Sequence, residues 1–200
     1  MQLKPIDAKT LSQIYEEHMV FDFPRAELKP LNTLLKCMAE GSCQPYGLYD
    51  GDELTAYAVM LLSEPGAAGI LDYLAAVRTH RDRGAGSEML KKLQTELTGC
   101  AGILIEYEFP EDAADEAERH IRDRRERFYL RNGVRRTAID LILFGVHFCV
   151  GYLPCERDLP DATLKQMQKA VYDRVHCWDY HFQDTLVDGG ASSPATATPT

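Results

Sequence analysis

The spacing of apolar side chains predicts two helices at the start of the chain. Residues 7–19 carry Leu11, Ile14 and Tyr15 at the three- and four-residue spacing of one helical face. A second helix is predicted over 26–39, and it ends at Gly41, because glycine is the residue that most often stops a helix.

The middle of the chain predicts strands. The Asp-Gly pair at 50–51 lies between two apolar segments and is a strong hairpin signal. A turn of Ser, Glu, Pro and Gly at 63–66 leads to a third strand over 70–77. Because the connections are short, we expect the three strands to pair antiparallel.

The second half of the chain alternates between helices and strands. The pattern predicts, in order, a helix over 84–99, a strand over 102–109, a helix from 110 to the Asn-Gly pair at 132–133, two strands within 136–153 interrupted near Gly145, and a final helix over 161–183. This order is typical of an α+β fold with a mixed, mostly antiparallel central sheet flanked by helices.

The composition argues against several classes of protein. Hydrophobic residues make up 45% and the net charge is −9, so the chain can form a core but has no general basic face for nucleic acid. No apolar run approaches the roughly 20 residues that span a bilayer. The N-terminus lacks the apolar centre of a signal peptide. We therefore expect a cytoplasmic protein that binds neither nucleic acid nor a membrane.

The six cysteines give no sign of a metal site. None forms a CxxC pair, and no Cys/His cluster has the spacing of a zinc site. We expect free thiols and no bound metal.

Residues 71–90 carry the clearest chemical signal. A predicted strand leads into a loop rich in arginine and glycine, and the loop opens a helix. The first helical amides have no acceptor within the helix, and glycines let an anion approach the backbone. Arg81 and Arg83 add charged donors. The segment predicts a pyrophosphate cradle, although a tight turn before a helix has the same pattern. It is neither a P-loop nor a dinucleotide-binding GxGxxG motif.

The loop resembles a family motif. The RDRGAG sequence at 81–86 fits the R/Q-x-x-G-x-G/A pattern of the GNAT superfamily of acetyl-CoA-dependent N-acetyltransferases. Residues 124–137 resemble its FYxxxGF element, with Val134 where phenylalanine is usual, and 143–154 resemble the closing strands of an uncharacterised bacterial branch. His80 also departs from the family, in which a hydrophobic residue or tyrosine is common.

The resemblance covers about 1–155 and implies the domain organisation. We expect an acetyltransferase domain over 1–155, a helical extension over 156–188 packed on it, and a disordered tail over 189–200.

The resemblance also implies how acetyl-CoA, the cosubstrate, binds. The fourth and fifth strands of this family splay apart, and the pantetheine arm lies between them. The implied cofactor-binding residues are Leu74, Ala75, Ala76, Arg81, Asp82, Arg83, Gly84, Ala85, Gly86 and Ser87. In the alternative interpretation, the two alanines only pack under a helix.

The resemblance assigns Tyr129 as the acid that protonates the departing thiolate, unless it is only a core-facing aromatic beside Phe128. A main-chain N–H near Ala76 is expected to polarise the thioester carbonyl. Glu106 and Asp72 are the candidate bases, ahead of Glu108, with ion pairing as the alternative for each. Strand periodicity predicts that Asp72 shares a face with Leu74 and Ala76.

The remaining site residues follow by analogy alone. The acceptor pocket is expected to be formed by the early helices and the last strands, with the candidates Phe23, Arg25, Glu27, His147 and Tyr152. The arginines over 119–131 are interpreted mainly as a solvated helical face, of which Arg124, Arg125 and Arg127 are placed to reach the phosphates.

These features predict the transfer of an acetyl group from acetyl-CoA to a primary amine of a small molecule or peptide, by direct attack in a ternary complex. A catalytically inactive acyl-CoA-binding regulatory module and a protein-interaction scaffold are the alternatives. The chain is expected to act as a monomer or homodimer.

Overall fold

The computed structural model describes residues 1–25, 27–97, 99–143, 145–175 and 185–188. Eight strands form one sheet in the order β1-β2-β3-β4-β5-β7-β6-β8. The strands are β1 (Gln2–Pro5), β2 (Cys43–Asp50), β3 (Glu53–Leu61), β4 (Gly69–Ala76), β5 (Gly102–Glu108), β6 (Arg135–Leu143), β7 (Val146–Pro154) and β8 (Thr185–Asp188). All neighbouring pairs are antiparallel except β4 and β5, which confirms the predicted α+β class.

Six α-helices lie in the described part of the chain. They are α1 (Ala8–Ile14), α2 (Val20–Asp22), α3 (Leu31–Ala39), α4 (Ala85–Glu96), α5 (Glu116–Arg131) and α6 (Asp161–Val175). The first predicted helix is divided, because a π-helical turn, Tyr15–Met19, separates α1 from α2. Asp7 caps α1 by accepting a hydrogen bond from the Thr10 amide at 2.7 Å.

Several boundaries differ from the prediction for local reasons. The second helix begins at Leu31 rather than 26, because Pro30 precedes it and fixes its first turn. The long helix begins at Glu116, where Asp115 accepts from the Glu118 amide at 2.8 Å. Strand β1 was not predicted, and neither was β8, which lies where the helical extension was expected. Residues 176–184 of the predicted last helix and the tail over 189–200 lie outside the described residues.

Each face of the sheet is covered by its own helices. Helices α1, α3 and α6 pack on one face, where Leu11, Leu34 and Leu164 belong to the same core cluster as Leu104. Helices α4 and α5 pack on the other face, where buried apolar side chains of α4 belong to the same core cluster as those of β3 and β5. The two faces are named below the α6 face and the α4 face.

Strands β4 and β5 pair over only three residues each. Gly69–Leu71 pairs with Ile103–Ile105, whereas β4 continues beside β3 to Ala76 and β5 continues beside β7 to Glu108. The strands therefore diverge beyond Leu71 and Ile105, which confirms the predicted splay.

A β-bulge changes the face on which Asp72 lies. The register with β3 shifts between Tyr73 and Leu71, so Asp72 has no direct partner. Leu74 and Ala76 pack on the α4 face, whereas Asp72 binds Lys29, which also covers the Tyr73 ring of the α6 face. The prediction that Asp72 shares a face with Leu74 and Ala76 is wrong, because strict alternation fails at a bulge.

The described residues contain neither a helix suited to cross a membrane nor a cluster of metal ligands. Within them, no helix combines the length and the apolar character needed to cross a bilayer. The same residues contain no group of three or more His, Cys, Asp or Glu side chains placed to hold a metal ion.

Tyr152, predicted for the acceptor pocket, is instead a structural residue. It is completely buried, and its hydroxyl lies 3.0 Å from Ala101 O and 2.6 Å from Arg157 O. We expect Tyr152→Phe to lower the free energy of unfolding by about 0.5–1.5 kcal/mol, because the hydrogen bonds of the hydroxyl to the two carbonyls are lost. Urea denaturation measures this loss.

Tyr46→Phe is the matched control, because no partner for the Tyr46 hydroxyl lies among the described residues. It should change the stability by less than about 0.5 kcal/mol. Equal losses in the two variants would contradict the structural role of Tyr152.

Candidate functional site

The loop between β4 and α4 leaves main-chain donors free. It contains a 3₁₀ turn, Arg78–His80, followed by left-handed residues at Asp82 (φ 60°) and Gly84 (φ 82°). The first bond that enters α4 runs from the Glu88 amide to Gly84 O at 3.0 Å. No backbone acceptor for the amides over 85–87 lies among the described residues. These N–H groups form the positive end of a helix and suit an anion.

The two glycines of the motif have different roles. A Cβ at Gly84 would meet no atom within 4 Å, so the positive φ and the open approach explain the glycine. A Cβ at Gly86 would lie 3.3 Å from Cζ of Phe128, so this glycine lets α5 pack closely. The predicted cradle is thus open at Gly84 and supported by α5 at Gly86.

The arginines of the loop are not equivalent. Arg81 donates from Nη2 to Asp22 Oδ1 at 2.6 Å, so its guanidinium is held by a side chain of α2. His80 lies 2.8 Å from Glu53 through Nε2. Arg83 is exposed, and no partner for it occurs in the part of the chain that the structure describes. The phosphate contacts predicted for Arg81 and Arg83 stay predictions.

The free edge of β4 faces the splay. The Val77 amide donates to Thr55 O at 2.9 Å, on the β3 side. Because peptide groups alternate in direction along a strand, the amides of Ala76 and Leu74 point to the opposite side, where β5 has diverged. The side chains of Leu74, Ala75 and Ala76 are partly exposed. This edge has the hydrogen-bonding groups that an added extended chain requires.

Tyr129 lies on the α4 face beside the splay. Its ring packs against Tyr107 at 5.5 Å and Phe128 at 5.3 Å between centroids. No hydrogen-bond partner for its hydroxyl is found among the residues described. Burial raises the pKa of Tyr129, and nearby Arg125 opposes this shift. The phenol is therefore protonated at neutral pH, as an acid must be before it donates.

Glu106 is held by α6. Gln168 donates from Nε2 to Oε1 at 2.6 Å, and the Tyr172 hydroxyl lies 2.6 Å from both carboxylate oxygens. Burial raises the pKa of Glu106, and these two hydrogen bonds oppose the shift. Both oxygens are engaged, so the carboxylate has less freedom to accept a further proton from a substrate.

Only one of the two carboxylate oxygens of Asp72 accepts a hydrogen bond within the described residues. Its Oδ1 accepts from Lys29 Nζ at 2.6 Å, and its Oδ2 is buried without a partner in the described residues. A buried carboxylate oxygen without a donor is costly, so this atom is poised to accept one.

Glu108 forms the ion pair that was the alternative to a catalytic role. Its Oε1 lies 3.3 Å from Arg122 Nη2 and its Oε2 lies 3.2 Å from Arg125 Nη1. Arg122 is buried and also donates to Phe109 O at 2.9 Å. Two arginines of α5 are therefore ion-paired with Glu108, the last residue of β5. Arg124 and Arg127 are exposed, and Arg127 lies 3.7 Å from Asp123.

The other predicted acceptor residues lie in two places. Phe23 contacts Tyr73 edge-on at 4.8 Å, close to the bulge. Glu27 lies in the segment between α2 and α3, and partial desolvation and the charge of Glu108 raise the pKa of its carboxyl. His147 stacks on Phe109 at 4.4 Å and lies 2.9 Å from Asp112, beside the start of α5. Arg25 is exposed.

Sequence reasoning did not identify four residues that contact the site. Asp22, Lys29, Gln168 and Tyr172 bind predicted site residues through side chains that are distant in sequence. A signal existed for Gln168 alone. It interrupts an otherwise apolar helical stripe, and a polar residue at such a position must find a buried partner.

Comparisons with known proteins identify the fold. No family model matches the sequence, and no curated protein matches it. A protein from Bacteroides thetaiotaomicron described as an acetyltransferase of the GNAT family matches with a TM-score of 0.67 and 19% identity, over 88% of this chain and 96% of that chain.

Two further solved structures agree. The ribosomal-protein-S18-alanine N-acetyltransferase of Escherichia coli has a TM-score of 0.55 and 16% identity, over 79% of this chain and 96% of that chain. An aminoglycoside 6′-N-acetyltransferase complexed with coenzyme A has a TM-score of 0.57 and 12% identity, over 80% and 99%. The predicted resemblance is confirmed at the level of the fold, which is the GNAT fold.

The burial of Glu106 predicts a pH-dependent stability. Because its pKa is raised above the usual 4.5, the folded chain keeps this proton to a higher pH than the unfolded chain. The stability that the raised pKa contributes is therefore present at low pH and is lost as the pH rises through the folded pKa. Gln at this position does not titrate. The free energy of unfolding of the wild type relative to Glu106→Gln should fall as the pH rises above the usual carboxyl pKa of 4.5.

Urea denaturation of both proteins at several pH values measures this difference. Glu17→Gln, a change at an exposed position of the π-helical turn, is the control. Parallel pH profiles for the wild type and Glu106→Gln would show that Glu106 has no raised pKa.

Proposed function

We propose that this chain, which has the GNAT fold, transfers an acetyl group from acetyl-CoA to a primary amine of a small molecule or peptide. The observation that carries the proposal is the position of the free amides over 85–87, which lie at the end of the loop that follows the open edge of β4. A pyrophosphate and an extended arm attached to it need these two sets of groups side by side.

The cosubstrate occupies both sets of groups. The pyrophosphate accepts hydrogen bonds from the amides at the start of α4, and Arg83 supplies a positive charge. The pantetheine arm pairs with β4 along Leu74, Ala75 and Ala76. Other proteins of this fold support the assignment, since an aminoglycoside acetyltransferase with it is complexed with coenzyme A.

The reaction is a direct attack in a ternary complex. The amine nitrogen forms a bond to the thioester carbon, and the carbon–sulfur bond then breaks. The Ala76 amide, which points into the splay, donates to the carbonyl oxygen as negative charge develops there. Tyr129 gives its proton to the leaving thiolate. The attacking nitrogen loses one proton, so atoms and charges balance.

Asp72 is the better supported of the two predicted bases. Glu106 has both oxygens engaged by α6, whereas Asp72 keeps one oxygen unpartnered at the bulge in β4. Lys29 holds the other oxygen at 2.6 Å and so fixes the direction of the carboxylate. The free oxygen takes the proton from the amine, either directly or through a water molecule.

The regulatory-module alternative predicts binding without turnover. Incubation with acetyl-CoA and a panel of amines, followed by a free-thiol assay, separates the two functions. Thiol release with at least one amine supports transfer. Binding of acetyl-CoA without release for any amine supports the module, and no binding supports the scaffold.

The cradle predicts that a negative charge at Gly84 abolishes binding. Gly84→Asp places a carboxylate against the phosphates and should weaken coenzyme A binding by about 100-fold or more, because like charges in contact cost several kcal/mol. Isothermal titration calorimetry measures the dissociation constant.

Gly84→Asn is the matched control. Asparagine has nearly the shape of aspartate and tolerates a positive φ comparably well. It should keep the affinity within about 10-fold of the wild type, because no neighbour within 4 Å opposes a Cβ there. Equal affinities for the Asp and Asn variants would refute the cradle.

The role of Tyr129 predicts a loss of rate rather than of binding. Tyr129→Phe keeps the ring contacts with Tyr107 and Phe128 but removes the proton donor. The kcat for any accepted amine should fall by about 100-fold, and the dissociation constant of acetyl-CoA should stay within about twofold. Steady-state thiol release and calorimetry measure these quantities, and an unchanged kcat would remove the assigned role.

A further inference from the structure

A carboxylate outside the proposed chemistry is buried beside the cradle. Asp22 ends α2, directly after the π-helical turn, and its side chain is only 2% exposed. Its Oδ1 accepts from Arg81 Nη2 at 2.6 Å, and its Oδ2 accepts from the Tyr57 hydroxyl at 2.8 Å. One oxygen is therefore bound by the loop and the other by the core strand β3.

A second arginine of the loop strengthens this link. Arg78 Nε lies 3.7 Å from Asp22 Oδ1, and Nη2 donates to Phe21 O at 3.3 Å. The Arg78 guanidinium also covers the Phe21 ring, 5.3 Å from its centroid. The loop thus contacts α2 through an ion pair, a main-chain hydrogen bond and a cation–π contact.

We propose that Asp22 is a positioning residue for acetyl-CoA, which acts through Arg81 to hold the loop in its binding conformation. The proposal rests on the function proposed above, because it concerns the affinity of the same cradle. Asp22 itself contacts neither the cosubstrate nor the reacting atoms.

The loop contains one residue in an unfavourable backbone conformation. Asp82 adopts a positive φ of 60°, which is unfavourable for a residue other than glycine. A loop with such a residue samples other conformations unless its neighbours hold it. The Arg81–Asp22 pair fixes the residue directly before Asp82. The entropy cost of ordering the loop is therefore met when the protein folds and not when the anion binds.

The pair also determines what Arg81 contributes. If Arg81 turned to a phosphate, it would leave a buried carboxylate with less compensation, which is strongly unfavourable. Arg81 therefore stays with Asp22 when the anion is bound and supports the cradle through its backbone. Arg83 is exposed and is then the arginine of the loop that supplies a positive charge to the phosphates.

A double-mutant cycle on the full-length chain tests the proposal, with coenzyme A as the probe in calorimetry. Asp22→Asn and Arg81→Met should each raise the dissociation constant about 5- to 20-fold, and the double variant should be no weaker than the weaker single variant. Arg81→Lys, which can still pair with Asp22, should restore the affinity to within about threefold of the wild type.

The wild type and a charge control are measured first. A wild type that does not bind coenzyme A would remove the proposed function itself, whereas the ratios between variants test Asp22 alone. Lys9→Met, at an exposed position of α1, has the same charge change as Arg81→Met and should leave the affinity within about twofold.

Three results would overturn the proposal. They are an unchanged dissociation constant for Asp22→Asn, a lower dissociation constant for that variant, and a double variant whose dissociation constant rises by the full product of the two single fold-changes. If Asp22→Asn does not fold, Tyr57→Phe replaces it, because it removes one hydrogen bond to the carboxylate and keeps the ring. Tyr57→Phe should raise the dissociation constant of coenzyme A about 2- to 5-fold. A rise of the same size when the change is made in the Arg81→Met variant would also overturn the proposal.

Discussion

The divergence of β4 from β5 is the constraint on which the site depends. Inside a sheet, each strand normally satisfies its main-chain groups on both sides, and an unmet buried N–H or C=O costs as much as a lost hydrogen bond. Here β4 is paired on its β5 side only over Gly69–Leu71. The sheet holds together because β3 pairs with β4 to its end and β7 pairs with β5 to its end. The opening is thus held in place by the paired strands on either side, and the edge of β4 that faces it has main-chain groups without a strand partner.

The charges around this opening are largely neutralised within the protein. Arg81 is held by Asp22, and Arg122 and Arg125 are held by Glu108. These three arginines of the basic clusters are therefore already paired with carboxylates of the protein. In the proposed function, anion recognition depends mainly on main-chain amides, which favour a ligand of the right shape over one that is merely negative. Such a site is compatible with the net charge of −9, because it does not need a basic surface.

The parts of the fold that local chemistry determines were predictable. The Asp-Gly hairpin at 50–51 and the glycine at position 84 each depend on backbone geometry that few residues adopt, and the structure has both. The face of Asp72 was not predictable, because a bulge shifts the register and no residue type marks it. The polar Gln168 on an apolar stripe signalled a buried partner, but its pairing with Glu106 was not predictable, since α6 begins more than fifty residues later and docks only in the folded chain.

The docking of α6 has a consequence for the acceptor side of the slot. The early helices and the last strands were expected to form that side, but α6 covers the same face and binds Glu106 through Gln168 and Tyr172. Two carboxylates, on β4 and β5, then lie near the point of divergence, and only Asp72 has an oxygen left over. A carboxylate that is already satisfied gains little by taking a substrate proton, whereas an unmet buried acceptor gains a full hydrogen bond. Helix α6 therefore distinguishes between two side chains that the sequence alone presents as candidates for the same role.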